Sequence, residues 1–170
     1  MTERGRLFVA AWPSSELCDL LAALPRPAAP GVRYTTPEQW HVTLRFLGDA
    51  SLREAGDALR QVTFAAADAI VGPAVTRLGK GVVVAPVAGL DAIARAVDHA
   101  MSGIGEPPAH KGYAGHLTLA RLKSRSRLAM LEMTIEARFA VSEIRLVHSQ
   151  LTAKGSRYET IATVSAVQIS

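Results

Sequence analysis

Apolar side chains recur along this sequence with two different periods, and the two periods predict an alternation of strands and helices. Residues 6–12 are almost continuously apolar and end at Pro13, which cannot donate a strand hydrogen bond, so they predict an opening strand. In three other stretches, at residues 15–24, 52–62 and 89–101, aliphatic side chains recur every three or four positions. That spacing is typical of helices with one buried face.

The predicted helices have recognisable starts and apolar stripes. Ser14 or Ser15 can cap the first helix, and Ser51 followed by Glu54 fits a capping box at the second. The stripes predicted to face the core are Leu17, Leu20, Leu21 and Leu24; Leu52, Ala55, Leu59 and Val62; and Leu90, Ile93, Val97 and Met101. A further short helix is predicted around Leu128, Met130 and Leu131.

The remaining apolar stretches alternate or are rich in valine, which favours strands. We predict strands at residues 32–34, 40–47, 69–78, 81–86, 116–122, 139–148 and 158–167. Gly48 is expected to end the strand at 40–47. Helices and strands alternate in two similar halves without a low-complexity linker, so we expect residues 1–170 to form one two-lobed domain.

One four-residue pattern occurs twice: His-Val-Thr-Leu at residues 41–44 and His-Leu-Thr-Leu at residues 116–119. Because side chains alternate between the faces of a strand, each histidine shares a face with the threonine two residues later. The aliphatic residues of each pattern take the opposite face. The repeat therefore predicts two imidazoles and two hydroxyls facing one cleft.

This set of groups suits acid–base chemistry on a phosphate. An imidazole has an unperturbed pKa of about 6.5, so His41 and His116 could serve as the base and the acid that open a cyclic phosphodiester. The hydroxyls of Thr43 and Thr118 could donate to phosphate oxygens. A single His-x-Thr would be read as an incidental half-buried pair, but the repetition favours a site. A metal site is the rival interpretation, although the repeat supplies no third ligand.

Two arginines are candidates for a phosphate ligand. Arg45 is in phase with His41 and Thr43 on a regular strand, which predicts that it faces the cleft. Arg121 is out of phase with His116, so it reaches the cleft only if the strand ends or bulges near Ala120.

Composition and charge narrow the function classes only slightly. The formal net charge of +4 is compatible with a polyanionic partner, and 49% hydrophobic residues argue against disorder. The single cysteine excludes an internal disulfide. No long apolar run or secretory signal is found, so we expect a cytoplasmic protein without a membrane partner. His110 and His148 lie outside the repeat and are interpreted as structural.

The residues that carry these patterns resemble the two-histidine phosphoesterase superfamily. Within it, the chain is similar to the LigT/ThpR-like RNA 2′,3′-cyclic phosphodiesterases, once named 2′-5′ RNA ligases. The resemblance rests on residues 6–10, Trp-His-Val-Thr-Leu-Arg-Phe-Leu-Gly at 40–48, Gly-His-Leu-Thr-Leu-Ala-Arg at 115–121, and the ending 146–149 followed by Gly155 and Tyr158.

The resemblance implies a bilobed α+β fold in which two antiparallel sheets line a central cleft and helices cover the outer faces. It implies hydrolysis of RNA 2′,3′-cyclic phosphate ends to 2′-phosphate without a metal or nucleotide cofactor. His41 would be the proton donor and His116 the proton acceptor. The residues that would contact the phosphate are Thr43, Thr118 and Arg121.

Two departures from the family pattern leave undetermined how the sugar and the base would be bound. Relatives often have proline where this chain has Gly115, and an aliphatic residue where it has Trp40. Base stacking and core packing are both open for Tyr34, Trp40 and Tyr113. Other functions to weigh are a small-molecule phosphodiesterase for cyclic nucleotides or ADP-ribose cyclic phosphate, and an RNA-end-binding module with weak 2′-5′ ligase activity. We expect a monomer.

Overall fold

The computed structural model describes residues 2–109, 111–123 and 127–168. The interpretation of His110 as structural falls outside these residues. The strands are β1 Arg4–Ala11, β2 Val32–Tyr34, β3 Val42–Ser51, β4 Ala67–Val71, β5 Thr76–Leu78, β6 Val82–Ala88, β7 His116–Leu122, β8 Ala137–Val141, β9 Glu143–Thr152 and β10 Gly155–Ser165. The helices are α1 Ser15–Ala22, α2 Leu52–Arg60 and α3 Asp91–Ala100, with a short 3₁₀ turn at Pro37–Gln39.

The strands pair antiparallel in the order β10-β9-β1-β3-β7-β6-β4-β8, with β2 beside β7 and β5 beside β6. The two motif strands, β3 and β7, meet at one register pair, Val42 and Leu117. This narrow junction divides the sheet into two lobes. The implied bilobed α+β fold is confirmed, with its two antiparallel sheets joined at the motif strands.

The helices and the sheet bury a large apolar core, and a smaller cluster of Phe8, Ala10 and Val147 is separate from it. Helix α2 packs against β10 and contacts β1, β3 and β9, whereas α3 packs against β3. Ser51 caps α2 by accepting a hydrogen bond from the backbone N–H of Glu54 at 3.2 Å, as the capping pattern predicts. The side chains of Leu59 and Ile93 are buried, and each such burial stabilises the fold by about 2 kcal/mol. In the described ranges, no helix has the length and apolar character needed to cross a membrane.

Several predicted strands have different bounds in the structure. The stretch 69–78 is divided into β4 and β5 by residues 72–75, which include a cis peptide bond at Gly72–Pro73. The stretch 139–148 is likewise divided, because Ser142 separates β8 from β9. Gly48 does not end β3; it pairs with Leu7 of β1, and the strand continues to Ser51.

Two predictions about helices are wrong. The short helix expected around Leu128 and Leu131 is a hydrogen-bonded turn, in which the N–H of Leu131 donates to the carbonyl of Leu128. The side chain of Leu20 is 49% exposed, because it lies on the solvent side of α1 while Leu17 and Leu21 face the core. Helical spacing identified the helix correctly but overestimated the width of its buried face.

Candidate active site

The motif strands bring both histidines and both threonines to one cleft of about 450 Å³. The aliphatic residues between them, Val42 and Leu117, are fully buried on the other face. Among the residues that the structure describes, no carboxylate lines the cleft. The lining residues are Arg6, Phe8, Arg33, Tyr34, Thr35, Gln39, His41, Thr43, Phe46, His116, Thr118, Arg121, Ser149, Leu151, Ser156 and Tyr158.

Each motif strand contains a β-bulge one residue after its threonine. In β3, Thr43 pairs with Ala10 and Arg45 with Val9, which leaves Leu44 as the extra residue. The pairing of β7 with β6 skips Leu119 in the same way. A one-residue shift exchanges the two faces of a strand beyond that point. The fifth residue after each histidine therefore faces the cleft.

The bulges reverse the expected positions of the two candidate arginines. The prediction that Arg45 shares the face of His41 and Thr43 is wrong, because the bulge turns Arg45 inward until only 7% of it is exposed. Its guanidinium forms an ion pair with Asp98 and donates to the carbonyl of Glu106 at 2.9 Å. Arg121 lines the cleft, which confirms the conditional prediction that a bulge would bring it there.

The imidazole of His41 is enclosed by aromatic rings. It stacks on Phe8 with 4.8 Å between ring centroids and on Trp12 with 5.5 Å, and the ring of Tyr158 is nearly perpendicular to it with 5.3 Å between centroids. Burial lowers the pKa of His41 to about 4, and the charges of His116 and Arg121 act in the same direction. The free protein therefore holds His41 neutral at pH 7.

Backbone carbonyls give both histidines the same orientation. Nδ1 of His41 lies 2.7 Å from the carbonyl oxygen of Gln39, and Nδ1 of His116 lies 2.9 Å from that of Ala114. Because a carbonyl can only accept, each Nδ1 carries the proton and each Nε2 is left for chemistry. In His41 this Nε2 accepts a hydrogen bond from the hydroxyl of Thr43 at 3.1 Å.

A hydrogen-bonded group joins the segment before the first motif to the bulge of the second. The indole N–H of Trp40 donates to the hydroxyl of Thr35 at 3.0 Å. That hydroxyl lies 2.8 Å from the carbonyl of Thr118 and 3.0 Å from that of Leu119, and the backbone N–H of Thr35 also donates to Leu119. Thr35 was missed by sequence reasoning because it belongs to no repeated pattern.

Of the three aromatic residues for which stacking or core packing was open, the structure brings Tyr34 to the cleft. Tyr34 lines it, with its hydroxyl donating to the carbonyl of Pro27 at 2.9 Å. Trp40 is 1% exposed and packs in the core. The hydroxyl of Tyr113 donates to the carbonyl of Thr43, and burial raises the pKa of this phenol. Of the two interpretations left open for Trp40 and Tyr113, the structure shows core packing.

Aromatic residues missed by the sequence reasoning do line the cleft. Phe8 and Tyr158 surround His41, and Phe46 occupies the position after the β3 bulge that Arg121 occupies in β7. Alignment of the two repeats beyond their shared Leu would have paired Phe46 with Arg121. As for a metal, the part of the chain that the structure describes contains no group of three His, Cys, Asp or Glu side chains placed to bind one.

Comparison with known proteins identifies the fold. No model of a protein family matches the sequence, nor does any curated protein. Escherichia coli LigT in complex with NADP+ superposes with a TM-score of 0.77 at 19% identity, covering 98% of this chain and 100% of that one. TT0787 of Thermus thermophilus superposes with a TM-score of 0.74 at 24% identity, covering 94% and 97%.

A more distant match is the PDE domain of MHV ns2, with a TM-score of 0.52 at 11% identity, covering 86% of this chain and 99% of that one. Further structures of E. coli LigT contain phosphate, ATP or 3′-AMP. At these identities the similarity establishes the fold. This chain has the fold of E. coli LigT.

Proposed function

We propose that the protein is a two-histidine phosphodiesterase that hydrolyses RNA 2′,3′-cyclic phosphate ends to 2′-phosphates. The observation that carries the proposal is the paired presentation of His41 and His116, whose Nε2 atoms are both left for chemistry at one cleft, which no described carboxylate lines. The LigT-like fold supports a phosphodiesterase, and the 3′-AMP and phosphate complexes of LigT support a nucleotide or phosphate ligand.

The proposed reaction uses one imidazole on each side of the phosphorus. Nε2 of His116 takes a proton from water as the water oxygen bonds to phosphorus. The bond from phosphorus to the 3′ oxygen breaks, and Nε2 of His41 delivers a proton to that oxygen. The products are a 2′-phosphate and a 3′-hydroxyl. Because the imidazoles supply both proton transfers, this reaction needs no metal or cofactor.

The other polar groups of the cleft have roles in holding charge. Thr43 and Thr118 can donate to the nonbridging phosphate oxygens, and the guanidinium of Arg121 adds a charged donor. His41 must acquire a proton before it can act as the donor, since its pKa of about 4 leaves it neutral in the free protein. The negative phosphate beside Nε2 favours that protonation. The hydroxyl of Thr43 then turns from Nε2 to the phosphate.

Product analysis tests this proposal. The protein is incubated with EDTA and a short RNA that ends in a 2′,3′-cyclic phosphate, and the product is identified by ³¹P NMR. We expect a 2′-phosphate in the presence of the chelator. A 3′-phosphate would show that the bond to the 2′ oxygen breaks, which would contradict the proposed reaction. Activity that is abolished by EDTA and restored by a divalent metal would contradict the two-imidazole mechanism.

A further inference from the structure

The cleft contains more positive charge than one cyclic phosphate requires. Arg6, Arg33 and Arg121 all line it, and within residues 2–109, 111–123 and 127–168 none of these three guanidiniums is in an ion pair. A 2′,3′-cyclic phosphate carries a single negative charge, to which the proposed mechanism already assigns Arg121. The surplus indicates an additional anionic group on the substrate.

Arg33 and Arg121 are directly opposite each other on neighbouring strands. Arg33 of β2 and Arg121 of β7 form a register pair, and both side chains line the cleft. Directly opposed residues have Cβ atoms about 5 Å apart, and like charges in that position destabilise a sheet. An anion held between two guanidiniums reverses this effect, because each can donate charge-assisted hydrogen bonds to it.

Arg33 is confined on its other side by the turn between β9 and β10. Its guanidinium lies directly against Gly155, where a Cβ atom would collide with it. Gly155 has a φ of 109°, a conformation that favours glycine. The side chain of Gln39 donates to the carbonyl of Ser156 at 3.0 Å and holds this turn close to the first motif. Arg33 therefore occupies a formed part of the cleft wall.

Arg6 is placed differently. Its guanidinium lies 4.7 Å from the ring centroid of Phe46, and its backbone pairs with Ser149 of β9. It belongs to the β1 side of the cleft, whereas Arg33 is next to the arginine assigned to the reacting phosphate. In RNA the phosphate nearest to the 2′,3′-cyclic group is separated from it by one ribose.

We infer that Arg33, beside Arg121, binds a second phosphate, the one on the 5′ oxygen of the nucleotide that carries the cyclic phosphate. This inference rests on the proposed function and narrows its substrate class. The preferred substrates are cyclic phosphates with a 5′-phosphate or 5′-phosphodiester, rather than nucleoside cyclic phosphates with a free 5′-hydroxyl. Arg33 acts in binding and takes no part in proton transfer.

Three substrates that differ only at the 5′ position test the inference. They are a nucleoside 2′,3′-cyclic phosphate with a 5′-hydroxyl, the same compound with a 5′-monophosphate, and a dinucleotide ending in that cyclic nucleotide. We expect the wild type to show a kcat/KM roughly tenfold to a hundredfold higher for the substrates with a second phosphate. We expect Arg33→Gln to remove this preference by lowering kcat/KM for the two substrates with a second phosphate to the value for the 5′-hydroxyl substrate.

Arg157→Gln is the matched control. Arg157 lies on β10 between two cleft residues, but it is exposed and outside the cleft lining. We expect this variant to keep the preference. Thermal melting of both variants shows whether they fold. A gain confined to the dinucleotide would identify an RNA chain as the source of the second phosphate, and an equal gain with the 5′-monophosphate would identify a nucleotide.

Two results would overturn the inference while leaving the proposed function intact. One is a wild type that cleaves all three substrates equally well. The other is an Arg33→Gln variant that slows all three by the same factor, since Arg33 would then contact the reacting phosphate or support the fold. Failure of the wild type to cleave any of them would reject the proposed function itself, and the inference with it.

Discussion

At the scale of single residues, two motifs of the same pattern contain histidines with unequal surroundings. Both imidazoles donate Nδ1–H to the carbonyl two residues earlier, so their orientation is equivalent. Their surroundings differ, because His41 lies among Phe8, Trp12 and Tyr158. Because the aromatic rings exclude water, the protonated form of this imidazole is disfavoured until an anion approaches. This asymmetry is the physical basis on which the two residues can take different roles.

The buried imidazole of His41 should make the fold sensitive to acid. Between pH 6.5 and 4 the unfolded chain binds a proton that folded His41 rejects, so the free energy of unfolding falls as the pH falls through this window. The expected loss from this residue is about 3 kcal/mol. Urea unfolding of wild type and His41→Gln at several pH values measures it.

His99→Gln is the control for this measurement, because His99 is exposed on α3. We expect His41→Gln to flatten the dependence of stability on pH, and His99→Gln to leave it unchanged. If His41→Gln loses as much stability on acidification as the wild type, the burial of a neutral His41 is wrong.

A sulfur-substituted substrate distinguishes the acid from the base. When the 3′ bridging oxygen of the cyclic phosphate is replaced by sulfur, the leaving group departs as a thiolate and needs little help from an acid. We expect His41→Ala to recover most of its activity with this substrate, whereas His116→Ala stays inactive because the water still needs a base. The ratio of kcat/KM for the sulfur and oxygen substrates measures the effect. Rescue of His116→Ala instead would reverse the assigned roles.

At the scale of strands, the two bulges decide which side chains reach the cleft. Regular alternation correctly predicts the faces of the His and Thr pairs, which precede the bulges. It fails at Arg45, because the extra residue Leu44 is invisible in a pattern of apolar and polar positions. Family resemblance supports Arg121, which alternation alone would have placed in the core. The sequence therefore predicts the motif strands well, but it does not predict the bulges at which the cleft-facing and core-facing positions are exchanged.

Thr35 should stabilise the bulge of β7 and, through it, the position of Arg121. Thr35→Val leaves the buried indole N–H of Trp40 without its acceptor and removes the donor to the Thr118 and Leu119 carbonyls. We expect a loss of about 1–3 kcal/mol in the free energy of unfolding, and weaker inhibition by inorganic phosphate. Thr35→Ser keeps the hydroxyl and serves as the control.

The two measurements separate a positioning role from a purely structural one. We expect Thr35→Ser to restore phosphate inhibition to nearly the wild-type level. A folded Thr35→Val protein with unchanged inhibition would show that the bulge does not depend on this hydroxyl.

At the scale of the whole molecule, the cleft lies where the two lobes are most weakly joined. In addition to the register pair of Val42 and Leu117, the hydroxyl of Tyr113 donates to the carbonyl of Thr43 and so connects the segment before β7 to β3. The three helices followed from periodicity, whereas the α+β class was implied by the family resemblance. Periodicity did not predict the interruptions of the strands at Gly72–Pro73 and Ser142, because the apolar pattern continues across them while the backbone leaves the sheet.

The most direct test of the central claim is a double-variant cycle on the two histidines. We measure kcat for the wild type, His41→Ala, His116→Ala and the double variant with an RNA 2′,3′-cyclic phosphate. Each single change should reduce turnover by roughly a hundredfold to ten-thousandfold, and the double variant should be little worse than the poorer single variant, because the two imidazoles act as one unit. Near wild-type turnover in either single variant, or losses that multiply fully in the double variant, would contradict the claim that these histidines act together on one phosphate.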